Sequence, residues 1–195
     1  MGKIFVIMGK SATGKDTIYQ RVAEDLRDSL KEIVLYTTRP IRDQEENGKQ
    51  YHFVSEEEYV CLKEQGKIIE ERAYDTMYGI WRYFTVNDEQ LQIENQSYIM
   101  IGTLEAYQQI KNYFGEEIVV PIYITVETGE RLQRALSRER KQTQPKYTEM
   151  CRRFIADEED FSKENIQKAQ ITKCYYNDEI TGCVAQIEAD IQSML

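Results

Sequence analysis

The stretch Gly9-Lys10-Ser11-Ala12-Thr13-Gly14-Lys15-Asp16-Thr17 follows the apolar run Ile4-Phe5-Val6-Ile7-Met8 and precedes apolar residues at Ile18, Val22, Leu26 and Leu30. The apolar run predicts a buried strand, and the spacing of the last four predicts a helix. Strand, glycine loop and helix in that order is the setting of a phosphate-binding P-loop. Gly9 and Gly14 let the backbone turn tightly and bring its N–H groups up to an anion. A helix starting near Lys15 points its positive end at the same anion. Lys15 would reach the β- and γ-phosphates of a nucleotide as a mobile point charge. Asp16 stands where Ser or Thr is usual, and the hydroxyl comes one place later, at Thr17.

Working outward, the chain has 195 residues, 41% hydrophobic and 30% charged, which suits one domain with a single large core. A net charge of −9 argues against a nucleic-acid-binding role, which needs a basic footprint. Nucleotides need only a local basic pocket. No apolar run reaches the roughly 20 residues of a membrane span, and the N-terminus has no signal-peptide pattern. Four cysteines (Cys61, Cys151, Cys174, Cys183) lack C-x-x-C spacing and read as reduced residues of a cytoplasmic protein. His52 is the one histidine, which excludes a histidine-rich metal centre. It reads as a packing residue.

Ile33 to Tyr36 is a strand candidate, and 36–86 is a polar insert. In the insert, Tyr51 to Val54 alternates like a strand. Ser55 followed by Glu56, Glu57 and Glu58 predicts a helix start, with a stop at Gly66. Ile68-Ile69 is a short strand candidate. The core resumes with a helix over Val86 to Leu91, a strand over Tyr98 to Ile101 and a helix over 104–113. Ile118 to Val126 is the most β-branched run, with Pro121 suggesting that the strand begins after it. Helices are expected over 129–141 and over 148–168, then a strand over Ile171 to Tyr176. Asn177 or Asp178 is the expected cap of a last helix carrying Ile180, Val184, Ile187 and Ile191. This alternation predicts an α/β fold of the P-loop NTPase type: a parallel central sheet with helices on both faces, an inserted acceptor-binding subdomain and a helical lid.

Phosphoryl transfer needs cations around the moving charge. Residues 131 to 153 carry six arginines and two lysines against Glu139 and Glu149, a local reversal of the chain's acidic balance. That segment, within 129–153, reads as a phosphate-covering lid, with Arg134 and Arg138 on one helical face. Arg39, Arg42 and Tyr51 suit a second anion clamp for an acceptor phosphate, to which Tyr78 could add a contact. Asp157 to Asp160 reads as a solvated helix face, and Trp81 as packing.

These residues carry a resemblance. Thr37-Thr38-Arg39-Pro40-Ile41-Arg42 with Glu46, Gly48, Tyr51 and Phe53 resembles the T-T-R-x-x-R…E-x-x-G-x-x-Y-x-F block of guanylate kinases, and Gly9 to Thr17 resembles their G-x-S-x-x-G-K-x-T loop. Ile69-Glu70, Tyr78-Gly79 and Asn177-Asp178 resemble that family's I-E, Y-G and N-D elements. The resemblance implies the reaction ATP + GMP to ADP + GDP with Mg²⁺. It implies donor binding by Gly9, Ser11, Ala12, Thr13, Gly14, Lys15, Asp16, Thr17 and Asn177. Catalytic roles fall to Lys15, Arg134, Arg138 and Arg153, and acceptor binding to Arg39, Arg42, Tyr51, Glu70 and Tyr78.

Three positions depart from the family pattern. Leu35 replaces a serine, Ile80 replaces Ser or Thr after Y-G, and Ile101-Gly102-Thr103 replaces an acidic D-x-D strand end. Losing these polar groups weakens guanine reading. Asp16 would then help hold Mg²⁺ with Thr17, or else act only as a helix-start acid. An Asp after the loop lysine also resembles ribose 1,5-bisphosphate phosphokinases, which makes a phosphorylated sugar the second acceptor candidate. A non-catalytic guanylate-kinase-like binding module is the alternative of another class, although such modules usually lose the loop lysine or the lid arginines.

Overall fold

Every residue of β1 (Ile4–Met8) is buried, and the strand feeds two separate cores. Ile4, Val6 and Met8 point to one face of the sheet, and Phe5 and Ile7 to the other. A strand covered on both faces reads as an unbroken apolar run, which is why the sequence shows no alternation here. The computed structural model describes residues 1–195. After β1 come α1 (Lys15–Asp25), β2 (Leu30–Glu32), β3 (Tyr36–Thr37), β4 (His52–Phe53), α2 (Glu56–Glu64), β5 (Ile68–Thr76), β6 (Gly79–Val86) and β7 (Ser97–Ile101). The chain continues through α3 (Leu104–Phe114), β8 (Val119–Thr125), α4 (Thr128–Arg140), α5 (Tyr147–Asp160), α6 (Lys163–Lys168), β9 (Cys174–Tyr176) and α7 (Ile180–Met194).

The main sheet is parallel, in the order β2-β7-β1-β8-β9. Helices α1 and α7 bury Ile18, Val22, Val184, Ile187 and Ile191 against the Phe5/Ile7 face. Helix α3 buries Leu104, Tyr107 and Ile110 against the other. The result is a three-layer α/β fold in which the loop after the central strand opens at the carboxyl edge, where such sheets bind ligands. No helix is long and apolar enough to cross a membrane.

A second sheet, β4-β3-β6-β5, lies between β2 and β7 in sequence. It has its own small core of Tyr59, Phe84 and Val86. Ser55 caps α2 in a reciprocal pair with Glu58, and Gly66 ends the turn after it at φ +67°. Gln109 of α3 bonds both the N–H and the C=O of Glu71, fastening this sheet to the first.

Several local expectations are corrected. Val86 to Leu91 is not a helix. Val86 pairs with Ile68 in the hairpin ladder, and the side chains of Asp88 and Gln90 are drawn across to Tyr36 and Val34. Ile68-Ile69 is only the start of a nine-residue strand that pairs along the tyrosine-rich segment. Ile33 to Leu35 is a crossing between the two sheets rather than a strand, with Ile33 N–H bonded to Ile99 and Leu35 C=O to His52. The segment 148–168 breaks in two because Phe161 turns into the core and stacks on Tyr123 at 5.5 Å, after which Ser162 caps α6. Glu179, not Asn177 or Asp178, caps α7.

Pro121 does not delay β8, which starts at Val119. The hydrogen bonds of Ile118 to β1 and of Thr125 to Asn177 fix the alternation, so the nitrogen of Pro121 faces the β9 side. The β9 ladder begins only at Tyr123, so no partner at Pro121 misses an N–H.

Candidate active site

Gly9 passes so close to β8 that a Cβ there would lie 2.4 Å from the Ile124 carbonyl oxygen. Gly14 has φ +84°, and a Cβ would lie 2.5 Å from the Asn177 amide nitrogen. Both glycines are therefore required by geometry. Ala12 also has positive φ, 65°, a strained conformation for a residue with a side chain. The loop is braced from within and from outside. Thr13 Oγ1 donates to Lys10 C=O at 2.9 Å, and Asn177 Nδ2 donates to Thr13 C=O at 2.7 Å.

Lys15 opens α1 and lines a cavity of about 520 Å³ with Gly9, Ser11, Tyr74, Thr103 and Asp157. On the other side, Ala12, Gly14, Asp16 and Thr17 line a cavity of about 290 Å³ with Arg134 and Arg138. Arg134 also donates to the Asn177 carbonyl at 3.2 Å and to Glu130 at 2.8 Å. Arg138 and Arg153 meet Ser11 around a smaller cavity between α4 and α5. Arg153 and Arg152 share the Glu149 carboxylate, which they hold down at a pKa of about 2.

The acceptor residues divide. Arg39 and Tyr51 are brought together, with the guanidinium 5.5 Å from the phenol ring and 5.4 Å from Phe53. Arg39 is not an open fork, however. It is buried and doubly bonded to Glu45 at 2.8 and 3.0 Å, and the same carboxylate accepts from the Arg42 N–H at 2.8 Å. Its Nε has no partner. Glu70 is likewise buried and engaged, by Arg72 at 3.1 Å and Thr85 at 2.9 Å. Tyr78 sits at the tip of the β5–β6 hairpin, 82% exposed, where its ring stacks on Trp81. Burial raises the Tyr51 phenol, which therefore stays protonated at neutral pH.

Asp16 and Thr17 are both exposed, and the Asp16 carboxylate is 3.5 Å from Lys15 Nζ. One carboxylate and one hydroxyl beside a phosphate loop suit Mg²⁺, which arrives with nucleotide phosphates and keeps most of its waters. The structure holds no group of three or more acids, histidines or cysteines placed as a protein-only cage. The residues present thus fit a metal that is shared with bound phosphates.

Sequence reasoning missed three residues at the loop. Asp157 and Glu158 are not merely a solvated face. Asp157 accepts from the Ser11 N–H at 2.8 Å, and Glu158 accepts from Lys10 at 2.6 Å. Arg131, read as part of a basic lid surface, is 1% exposed and bonds Ser11 C=O, Asp157 and Glu158. Its guanidinium lies 3.7 Å from the Phe154 ring. The only sequence trace of this cluster is the pairing of a basic α4 with an acidic α5.

A phosphate loop after the central strand of a parallel sheet, faced by arginines from a helix pair and by a second small sheet, invites comparison with known proteins. The family model for guanylate kinase matches residues 1–191. The chain belongs to the guanylate kinase family. A guanylate kinase of Porphyromonas gingivalis is 28% identical over 198 residues, covering 100% of this chain and 99% of the relative. One of Thermotoga maritima is 42% identical over 84 residues, 43% of this chain and 40% of the relative. The solved guanylate kinase of Anaplasma phagocytophilum shares the fold with a TM-score of 0.66 at 20% identity, covering 98% of this chain and 85% of that one.

Within this guanylate kinase family member, two of the departures have structural reasons. Leu35 is 9% exposed and packs in the core with Ile33, Ile69 and Tyr98. Thr103 uses its hydroxyl to cap α3, accepting from Ala106 N–H at 3.1 Å. Ile80 is half exposed on the hairpin.

Proposed function

We infer that this protein transfers the γ-phosphoryl group of ATP to GMP, giving ADP and GDP. The observation that carries the reading is the phosphate loop with arginines on its flank and an arginine–tyrosine pair in the second sheet. A phosphate loop and an arginine–tyrosine pair in the inserted sheet, with Tyr51 lining a cavity that also reaches Asp16, suit two phosphate-bearing ligands.

Lys15 and the loop amides of Ser11 to Thr17 bind the donor phosphates, with Asn177 holding the loop in shape. Arg134, Arg138 and Arg153, from the lid over 129–153, neutralise the charge that shifts to the leaving ADP. In the 36–86 insert, Arg39, Arg42 and Tyr51 hold the acceptor phosphate. Tyr78, at the exposed tip of the β5–β6 hairpin, is the further acceptor contact, and Glu70 accepts from the guanine edge. An acceptor phosphate oxygen attacks the γ-phosphorus as the bond to the β-phosphate oxygen breaks. The acceptor is already an anion, so no general base is needed, and the work is positioning. Asp16 and Thr17 would hold Mg²⁺, which would supply charge neutralisation for the donor phosphates. The exposed thiols of Cys61 and Cys151 suit a reducing cytoplasm.

ADP release measured with GMP, dGMP, AMP, UMP and ribose 1,5-bisphosphate tests the acceptor. The expected result is fastest turnover with GMP. Turnover with the sugar bisphosphate and none with GMP would overturn the guanine assignment while keeping the kinase. ATP binding without turnover on any acceptor would favour a binding module.

A further inference from the structure

One atom, Asp157 Oδ2, sits 2.8 Å from Ser11 N and 3.3 Å from Arg131 Nη1. A backbone N–H of a phosphate loop and a buried guanidinium thus converge on a single acceptor oxygen. A carboxylate and a phosphate oxygen satisfy such donors in the same way. We propose that this point is the position of an oxygen of the donor's terminal phosphate, that Asp157 fills it until ATP displaces it, and that Arg131 is a further phosphate-positioning residue. The proposal rests on the kinase reading above.

Three observations support it. Asp157 lines the same cavity as Lys15, Gly102 and Thr103 at the strand ends, whereas Arg134 lines the opposite cavity with Gly14 and Thr17. The position is therefore on the Lys15 side of the loop, where the terminal phosphate belongs, and away from the flank held by Arg134. Arg131 is fixed independently of Asp157, by Glu158, by the Ser11 carbonyl and by the Phe154 ring. It stays in place when Asp157 leaves. Its guanidinium is 1% exposed and keeps Glu158 beside it, so its charge stays paired throughout. Departure of Asp157 instead leaves the Ser11 N–H without its acceptor and one acceptor fewer at Arg131 Nη1, which couples that departure to the arrival of another acceptor oxygen. ADP, which lacks the terminal phosphate, leaves Asp157 where it is.

The test is calorimetric binding of ATP and of ADP, each with Mg²⁺, to the wild type and to Asp157→Asn, Arg131→Lys and Arg131→Met. Asp157→Asn keeps the shape and removes the competing charge. It is expected to tighten ATP roughly tenfold, the size of one charge-assisted hydrogen bond, and to leave ADP within about twofold. Arg131→Met is expected to weaken ATP and spare ADP, with Arg131→Lys intermediate. If Arg131→Met does not fold, Asp157→Asn and Arg131→Lys decide. Equal shifts for ATP and ADP in Asp157→Asn, or no tightening of ATP, would overturn the proposal alone. A wild type that binds no ATP would overturn the kinase reading and this proposal with it.

Discussion

The side-chain amide of Asn177 donates to the carbonyl of Thr13 at 2.7 Å, joining residues 164 apart in sequence. The Asn177 backbone N–H bonds Thr125 at the end of β8, and its carbonyl accepts from Arg134. One residue therefore ties the phosphate loop to the sheet and to the arginine helix. Removing the amide leaves a buried carbonyl unpaired, at a cost of about 1–3 kcal/mol. Asn177→Ala is expected to lower stability by that order in denaturant unfolding and to weaken ATP about tenfold in calorimetry. Unchanged ATP affinity would mean that the loop holds its shape without this brace.

Arg39 and Glu45 form a second such pair, with side chains 3% and 18% exposed. Removing Arg39 leaves the partly exposed Glu45 carboxylate without its ion-pair partner. Arg39→Met should therefore lower stability and also raise KM for GMP, with KM for ATP unchanged. Loss of stability with no change in either KM would reduce Arg39 to a structural residue.

Leu35 stands where the family pattern has a serine, and its place in the core explains why. Restoring the hydroxyl by Leu35→Ser opens a cavity and buries a polar group, costing about 3 kcal/mol. The expected outcome is a clear fall in the midpoint of urea unfolding. A neutral change would show that this pocket is open to solvent and available to a base.

Burial, with the Asp178 charge nearby, pushes the Cys183 thiol up to about 11. In the unfolded chain a cysteine ionises near 8.5, on the order of the model-peptide value. Between these values the unfolded state has lost the proton and the folded state has kept it, so stability falls as pH rises through that window and is unaffected below it. Cys183→Ala should flatten the alkaline loss of stability relative to the wild type. Identical alkaline profiles would show that Cys183 does not titrate differently on folding.

The loop Gly9 to Thr17 was legible because its chemistry is local: two glycines at a tight approach, a lysine at the helix start and an apolar strand before it. Most helices and core strands followed from apolar spacing for the same reason. Features set by long-range contact were not legible. Arg131 reads as a surface arginine and Asp157 as a solvated acid until the folding of α5 against α4 brings them onto Ser11. The Arg39–Glu45 and Glu70–Arg72 pairs lie close in sequence, yet nothing in spacing says that Arg39 and Glu70 would be buried. The β5–β6 hairpin was missed because its strands mix charged and aromatic residues and its turn, Thr76 to Gly79, lacks an Asn-Gly or Asp-Gly signal.

The measurement that bears most directly on phosphoryl transfer between two bound phosphates is product analysis with ATP, Mg²⁺ and GMP for the wild type and for Lys15→Ala. The wild type should form GDP and ADP in equal amounts. Lys15→Ala should keep the fold by circular dichroism and lose turnover by a factor on the order of a thousand, as expected when a preorganised charge is removed from the transferring group. A fully active Lys15→Ala protein, or a wild type that forms ADP without GDP, would contradict the account.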